Sequence, residues 1–339
     1  MDIMNSKILI VGGAGYIGGF LTDLLDTNGH DITVYDNLLY EDRYLKPVKF
    51  IFGDVRDYKK LGNIIHSYDS IIWLAGIVGD QACAIHKNTT QEVNVDSVKW
   101  LVDNYKGKII FTSTCSVYGI NDDLIDESAK PNPLSHYALS KLEAESYIIR
   151  NCENYTIFRL GTLFGLGDNF SRIRLDLVVN ALVYKALSDR MLPVNGGEQW
   201  RPMLHVKDVA QAIKFCLENN IFGLYNLAYK NFRIRDIAEE ISSHIENVDT
   251  KFTDIPFEDL RNYKIINNKM LSTGWTPKYS LKDGINQMSL IIKGERIKDL
   301  SNIVYSNEKY LQNAYRMMRC SFAHNSDFIT TQYINKAFC

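Results

Sequence analysis

Tyr137 and Lys141 bracket the sequence Tyr-Ala-Leu-Ser-Lys. On a helix this spacing puts a phenol and an ammonium on one face, about 6 Å apart at Cβ. A cation beside a phenol stabilises phenolate, so the pair is expected to bring Tyr137 toward the range of a general base that takes a proton from an alcohol. The pattern alone is weak: with 20 tyrosines in the chain it arises about once or twice by composition, and Tyr305 with Lys309 is a second copy. Tyr137 is set apart by the run before it, Phe111-Thr112-Ser113-Thr114-Cys115-Ser116-Val117-Tyr118-Gly119, an apolar stretch that ends in hydroxyls. If that stretch is a strand of a parallel sheet, its C-terminal end faces the ligand crevice. Thr114 then offers a hydroxyl to the same substrate oxygen that Tyr137 deprotonates.

A second group of residues points to what accepts the electrons. The apolar run Lys7–Val11 leads into Gly12-Gly13-Ala14-Gly15-Tyr16-Ile17-Gly18. Gly13, Gly15 and Gly18 fit G-x-G-x-x-G, and Gly12, Gly15 and Gly18 fit G-x-x-G-x-x-G. Either frame gives a turn free of Cβ atoms against which a pyrophosphate can lie, with Tyr16 and Ile17 opening the helix whose first amides face the phosphates. Asp36 closes a second β-branched run, 18 residues after Gly18, with Asn37 beside it. A carboxylate there accepts both hydroxyls of the adenosine ribose and repels a 2′-phosphate, and no basic residue lies nearer than Arg43, so NAD is favoured over NADP. Asp54 and Val55, after a third run, are candidates for the adenine edge.

The elements that must position these residues follow from the pattern of the chain. Lys7–Val11, Ile32–Tyr35, Val48–Phe52, Ser70–Leu74, Lys108–Ser113 and Tyr155–Leu160 are apolar runs without polar alternation, as expected of strands covered on both faces. Helical stretches at Tyr16–Thr27, Tyr58–Ser67, Gln91–Tyr105 and Tyr137–Arg150 lie between them. This alternation predicts an α/β fold, a Rossmann-type doubly wound parallel sheet over residues 1–160. Residues 161–293 read as a smaller substrate-binding lobe interwoven with it. That lobe holds a helix at Arg172–Leu187, a loop at Pro193–Pro202, helices at Val206–Glu218, Arg233–Ile245 and Leu281–Lys293, and a turn at Gly274-Trp275-Thr276-Pro277. Residues 294–339 carry no assignable pattern.

Composition narrows the class. The 339 residues carry 38 Lys+Arg against 40 Asp+Glu, a balance that gives no basic footprint for nucleic acid. No apolar run reaches the length of a membrane span, and the polar start of the chain does not read as a signal peptide. The six cysteines (Cys83, Cys115, Cys152, Cys216, Cys320, Cys339) show no CxxC spacing, so no metal site is expected and a cytoplasmic setting is the default.

Taken together, the glycine turn, Asp36, the hydroxyl-rich strand end with Val117-Tyr118-Gly119, and Tyr137 with Lys141 resemble the extended short-chain dehydrogenase/reductases, in particular the NAD-dependent branch acting on nucleotide-diphosphate sugars. The resemblance continues through Gly197-Glu198-Gln199-Trp200-Arg201, His205-Val206-Lys207-Asp208-Val209-Ala210, Asp259-Leu260-Arg261 and the Gly-Trp-Thr-Pro turn. It implies that Tyr137 is the base, that Lys141 bonds the nicotinamide ribose, and that Thr114 bonds the reacting oxygen, usually on C4 of the sugar. By the same resemblance Leu74, Ala75 and Gly76 pass under the cofactor, and Arg201 and Arg261 grip the substrate pyrophosphate. Arg174 is a third candidate for that grip. Helices Gln91–Tyr105 and Tyr137–Arg150 would form the four-helix interface of a homodimer, or of a tetramer.

Departures from the family pattern sharpen the expectation. The 4,6-dehydratases carry an acid pair after the active-site Thr; Cys115 and Ser116 stand there instead, which argues against dehydration. Gly76 to Cys83 differs from the sugar loop of the UDP-galactose epimerases. Cys83 reads as a packed thiol, His205 as a cap or packing group, and His136 as a neighbour of substrate at most. The surviving reactions are C4 oxidation, epimerisation through the ketone, and reduction of a 4-keto sugar. The run Arg172–Asn180 resembles bacterial enzymes of unusual surface sugars, with a GDP-heptose 4-dehydrogenase of capsule synthesis as the specific expectation. The contrasting reading is a non-catalytic NAD-binding sensor or scaffold on the same fold.

Overall fold

The computed structural model describes residues 6–168, 170–253, 261–297, 299 and 301–324, the last seven of these as backbone only. Asp259 and Leu260 lie outside the described residues. Seven strands form the main sheet: β1 (Lys7–Val11), β2 (Asp31–Asp36), β3 (Lys49–Phe52), β4 (Ser70–Trp73), β5 (Lys108–Thr114), β6 (Tyr155–Leu160) and β7 (Gly223–Leu227). Their order is β7-β6-β5-β4-β1-β2-β3 and every pairing is parallel. The first six match the apolar runs of the sequence to within a residue or two at each end.

Alternation along the strands divides the core in two. Ile8 and Ile10 point to one face, where they meet Leu21 and Leu25 of α1 (Gly18–Asp26) and Val209 and Ile213 of α5 (Val206–Glu218). Leu9 and Val11 point to the other face, against Val98 and Leu101 of the helix Ser97–Asn104 and Ala144 and Ile148 of α3 (His136–Asn151). Covered on both sides, these strands need no polar positions, which is why their sequences lack alternation. The lobe is interwoven with the sheet. Residues 206–227 return from it to supply α5 and β7, while α4 (Val178–Ser188), Ile234–His244 and Leu281–Lys293 pack in a core of their own.

Three local expectations need correction. The predicted helix from Arg172 begins only at Val178, because Arg174 folds back on Asp176 (2.9 Å) and Asp176 accepts the Asn307 amide (2.9 Å), so residues 172–177 stay non-helical. The predicted loop Pro193–Pro202 contains strands Met191–Asn195 and Trp200–His205, which pair respectively with Asp249–Thr253 and with Thr162–Phe164 and Lys230–Arg233. Gln91–Tyr105 is helical but wound wide over Glu92–Asp96 as a π-turn. The unassigned tail holds α6 (Asn307–His324), and Tyr305 of the second Tyr-x-x-x-Lys copy packs on the lobe core.

The helix that carries Tyr137 and Lys141 is anchored at its far end by a buried ion pair. Ser135 caps it, accepting the Ala138 amide (3.1 Å). Glu145, one turn beyond Lys141, takes the Arg159 guanidinium of β6 through Nε (3.1 Å) and Nη2, and Arg159 also donates to the Tyr118 hydroxyl (2.8 Å). Removing one partner of a buried pair strands the other charge, so Glu145→Ala is expected to lower stability by about 3–5 kcal/mol. Urea unfolding of the two proteins measures this, and a loss below about 1 kcal/mol would show that the pair is not a structural anchor.

Candidate active site

The crevice opens where the winding of the sheet reverses, between the C-terminal ends of β1 and β4, the position at which such sheets bind ligands. Gly12 has φ +84°, and a Cβ on it would stand 2.4 Å from the Ala75 amide nitrogen, so the turn after β1 lies directly on the backbone after β4. A Cβ on Gly18 would stand 2.4 Å from the Gly13 oxygen, which seats α1 on the same turn. The space above is about 1120 Å³, and Gly15, Ile17, Leu74 and Ala75 line it. Tyr16 lines it too, its hydroxyl donating to the Gly165 carbonyl (2.5 Å) and so fixing the turn to the lobe.

At one end of the crevice Asp36 ends β2. Its carboxylate accepts the amides of Ala14 (3.0 Å) and Leu38 (2.8 Å), while burial pushes its pKa up from the ordinary range. Asn37 donates to Asp54 (3.1 Å). Asp54 is half-buried, but the fork of Arg56 (2.9 and 3.0 Å) outweighs that burial and holds its carboxyl low; Val55 completes this wall. A turn without side chains, a helix N-terminus behind it and a fixed carboxylate at the second strand fit a dinucleotide.

Tyr137, Lys141 and Thr114 meet midway along the same crevice. The Thr114 hydroxyl acts to lower the Tyr137 pKa. Lys141 is 3% exposed, with its ammonium 4.4 Å above the Phe111 ring and beside Gly76. One expectation from the sequence is not met. Burial, followed by Cys83 and Asp80, pushes the Tyr137 pKa above its usual value despite Thr114, and burial lowers Lys141 to about 8. Helical spacing puts both residues on one face of α3, but desolvation is the largest influence on each.

The other end is basic. Arg201 and Arg261 both line the crevice and touch each other, Arg201 Nη1 donating to the Arg261 carbonyl (2.5 Å). Arg261 also donates to the Ser116 hydroxyl (3.1 Å) and pairs with Asp80 (3.3 Å). Arg174 lines the crevice as well, its guanidinium held by Asp176. Of the two residues at the dehydratase acid positions only Ser116 faces this space. Cys115 is fully buried and donates to the Arg159 carbonyl (3.2 Å). Cys83 is a packed thiol on the Ile77 carbonyl (3.2 Å), pushed up to about 12 by burial. His205 caps α5 by accepting the Lys207 amide (3.1 Å), and its burial lowers it to about 4. His136 reaches only toward the Lys87 carbonyl (3.4 Å).

Comparison with known proteins agrees with this geometry. The sequence pattern of the NAD dependent epimerase/dehydratase family matches residues 8–228, about two-thirds of the chain. The chain belongs to that family. It is 30% identical to a putative UDP-glucose 4-epimerase of Methanocaldococcus jannaschii, over 83% of this chain and 96% of that protein. It is 25% identical to CDP-paratose 2-epimerase of Salmonella typhi, over 83% and 98%. In fold it is similar to the UDP-glucose 4-epimerase of Thermus thermophilus in complex with NAD (TM-score 0.74, 23% identity, 85% of this chain and 99% of that one). The protein is therefore an NAD-dependent enzyme of the extended short-chain dehydrogenase/reductase type.

Two residues of the site escape a reading of the sequence. Asn94, in the π-turn, accepts the Ile77 amide (2.8 Å), donates to the Ile77 carbonyl (2.9 Å) and donates to Ser140 Oγ (3.1 Å). It ties the loop after β4 to the helix of Tyr137, and the wide turn in an otherwise helical pattern is a common mark of a functional site. Arg172 also lines the crevice. No sequence signal separates it from the solvated arginines.

The lowered pKa of Lys141 has a consequence for stability. The unfolded chain keeps this proton up to the ordinary value of 10.5, the folded chain only to about 8. Between those values the unfolded state binds more protons, so this residue makes stability rise with pH. Lys141→Met is expected to remove that part of the rise, read as a smaller increase in the urea midpoint from pH 8 to pH 10 than in the unmodified protein. Equal increases would mean that Lys141 is solvated.

Proposed function

We propose that the chain oxidises, reversibly, the C4 alcohol of a nucleotide-diphosphate sugar, as a 4-epimerase or a 4-dehydrogenase. The observation that carries this reading is the order of groups along one crevice: the fixed carboxylate of Asp36, then Tyr137 with Thr114 and Lys141, then Arg201 with Arg261. That order suits a dinucleotide and a diphosphate-linked alcohol meeting at the phenol. Bound NAD supplies the hydride acceptor. Thr114 holds the reacting oxygen, Tyr137 takes its proton, and Lys141 bonds the nicotinamide ribose. Arg201 and Arg261 hold the sugar's diphosphate by charge-assisted forks. With a buried thiol at 115 and a hydroxyl at 116, no carboxyl pair stands ready for elimination, which supports simple oxidation and reduction over dehydration.

The narrower proposal, a GDP-heptose 4-dehydrogenase of bacterial capsule synthesis, rests on the run Arg172–Asn180 and the altered sugar loop. Incubation with a panel of UDP-, GDP-, dTDP- and CDP-sugars, read by product mass and by NADH absorbance, tests both. Inversion at C4 with no net NADH marks the epimerase. A ketone with stoichiometric NADH, or with turnover sustained by a keto-acid oxidant, marks the dehydrogenase. No change across the panel would count against the whole reading. Tyr137→Phe is expected to lower turnover by about 10²–10⁴-fold while NAD still binds; full activity in that variant would remove the phenol from the mechanism.

We further propose a homodimer formed through α3 and the helix Ser97–Asn104. Leu139 and Ile149 of α3 remain exposed on the single chain, at 51% and 39%. Light scattering at micromolar concentration should give twice the mass of the chain, and a monomer would exclude this interface.

A further inference from the structure

The crevice has a wall that comes from the far end of the chain. Ser306, Asn307 and Glu308, at and just before the start of α6, line it. Asn307 is 3% exposed and makes three hydrogen bonds, each to a different strand of backbone or side chain. Its Oδ1 accepts from Arg172 Nη1 (2.7 Å), its Nδ2 donates to the Val78 carbonyl (2.8 Å), and its amide donates to Asp176 (2.9 Å). Val78 belongs to the loop after β4, while Arg172 and Asp176 belong to the segment before α4. One tail residue thus ties together two loops on either side of the crevice. Around it, the Leu175 amide donates to the Tyr305 carbonyl (2.9 Å), and Leu311 and Ala314 pack on Ile77, Ala82, Cys83 and Tyr137.

Arg172 is the other half of this arrangement. It is 6% exposed, lies with its guanidinium carbon 3.7 Å from the centre of the Tyr40 ring, and donates to Asn307 and to the Val304 carbonyl (3.0 Å). Its Nε has no hydrogen-bond partner, and among the described residues it forms no ion pair; the nearby carboxylate of Asp176 is taken by Arg174. Burial lowers its pKa to about 10. Glu41 and Asp176 act on it only from a distance, and a buried guanidinium with no direct ion pair is costly unless an anion completes it. A Cβ on Gly19 would stand 2.3 Å from Ser171 Oγ, so the residue before Arg172 rests directly on the first turn of α1, the helix end that favours phosphate.

We propose that the C-terminal segment from Asn302 to Ala314 is a clasp on the bound dinucleotide, in which Asn307 joins the two loops and sets the Arg172 guanidinium against the cofactor's diphosphate. Arg172 is then a binding residue and Asn307 a positioning residue acting through it. Leaving the crevice on this side requires the three Asn307 bonds to break and Leu311 and Ala314 to lift from the Tyr137 cluster. The clasp therefore governs how long the dinucleotide stays bound, whatever sugar is turned over.

The test uses the full chain and reads binding, so it is independent of the sugar assignment. For Asn307→Ala, displacement of NADH followed by fluorescence should give a dissociation rate at least about tenfold faster, as expected for losing both side-chain hydrogen bonds of Asn307 while its amide keeps Asp176. A rate within twofold of the unmodified protein, with native melting, would overturn the clasp. Should that variant not fold, amide hydrogen exchange on the unmodified chain replaces it: residues 302–314 should gain protection when NADH is added, and unchanged exchange there would overturn the proposal. Arg172→Gln identifies the diphosphate. Its affinity for ADP-ribose should fall about tenfold with adenosine and UDP binding unchanged. Loss of UDP binding in place of ADP-ribose binding, or loss of neither, would refute the assignment to the cofactor.

Discussion

One buried helix face organises this enzyme. Tyr137, Lys141 and Glu145 recur every four residues along α3 and all three are buried. The last is locked to Arg159 of β6, and Arg159 is locked in turn to Tyr118 at the end of the hydroxyl-rich segment. The ion pair therefore does more than hold a helix on a sheet. It fixes the helix against rotation and sliding, and so decides where the phenol and the ammonium, two turns and one turn earlier, meet the crevice. An error of one residue in that register would turn Tyr137 by about 100° and remove it from Thr114.

The rest of the site is built against this fixed face. Parallel pairing brings the ends of β1, β4 and β5 to one edge, and the reversal of strand order between β1 and β4 leaves an opening that no crossover helix covers. The absence of a Cβ at Gly12 lets the turn after β1 touch the backbone at Ala75, which sets the floor of the crevice. Asn94 then connects that floor to α3 through Ile77 and Ser140, so the floor and the phenol cannot move independently. Fold and site are coupled here by hydrogen bonds of one side chain.

How much of this is readable from the chain depends on the range of the contacts involved. The strands, the glycine turn, Asp36 and the Tyr137–Lys141 pair are legible because each is a local pattern with a local physical cause. Arg201 and Arg261 are legible only through resemblance, and the structure places both in the crevice. What stays hidden rests on contacts between distant residues. Arg172 meets Asn307 across 135 positions, and the Asn307 amide on Asp176, with Arg174 folded onto the same carboxylate, keeps residues 172–177 from the helix their apolar spacing predicts. The tail offers no pattern of its own, because its role is to fill what the lobe and the sheet leave open. The acidity of Tyr137 is illegible for another reason: spacing reveals a neighbouring charge, but not the desolvation that accompanies it.

The distribution of buried charge separates scaffold from site. Arg159 with Glu145, Arg174 with Asp176 and Lys46 with Asp23 and Asp168 are each compensated within the chain, and the first and third join separate elements of the fold. Lys141 and Arg172 are buried without an ion pair among the described residues, and both line the crevice. Lys108 shows that position matters as well as charge. Its ammonium lies over Phe222 and donates to the Cys216 carbonyl (2.5 Å), but it opens β5 at the edge of the sheet away from the crevice. A fold does not gain stability from stranded cations, so two of them along one cleft imply anions or electron-rich oxygens that arrive from outside. Lys141, one turn after Tyr137 on α3, and Arg172, next to the residue that rests on the first turn of α1, are the two points of this crevice where the chain itself leaves a cation without an ion pair among the described residues.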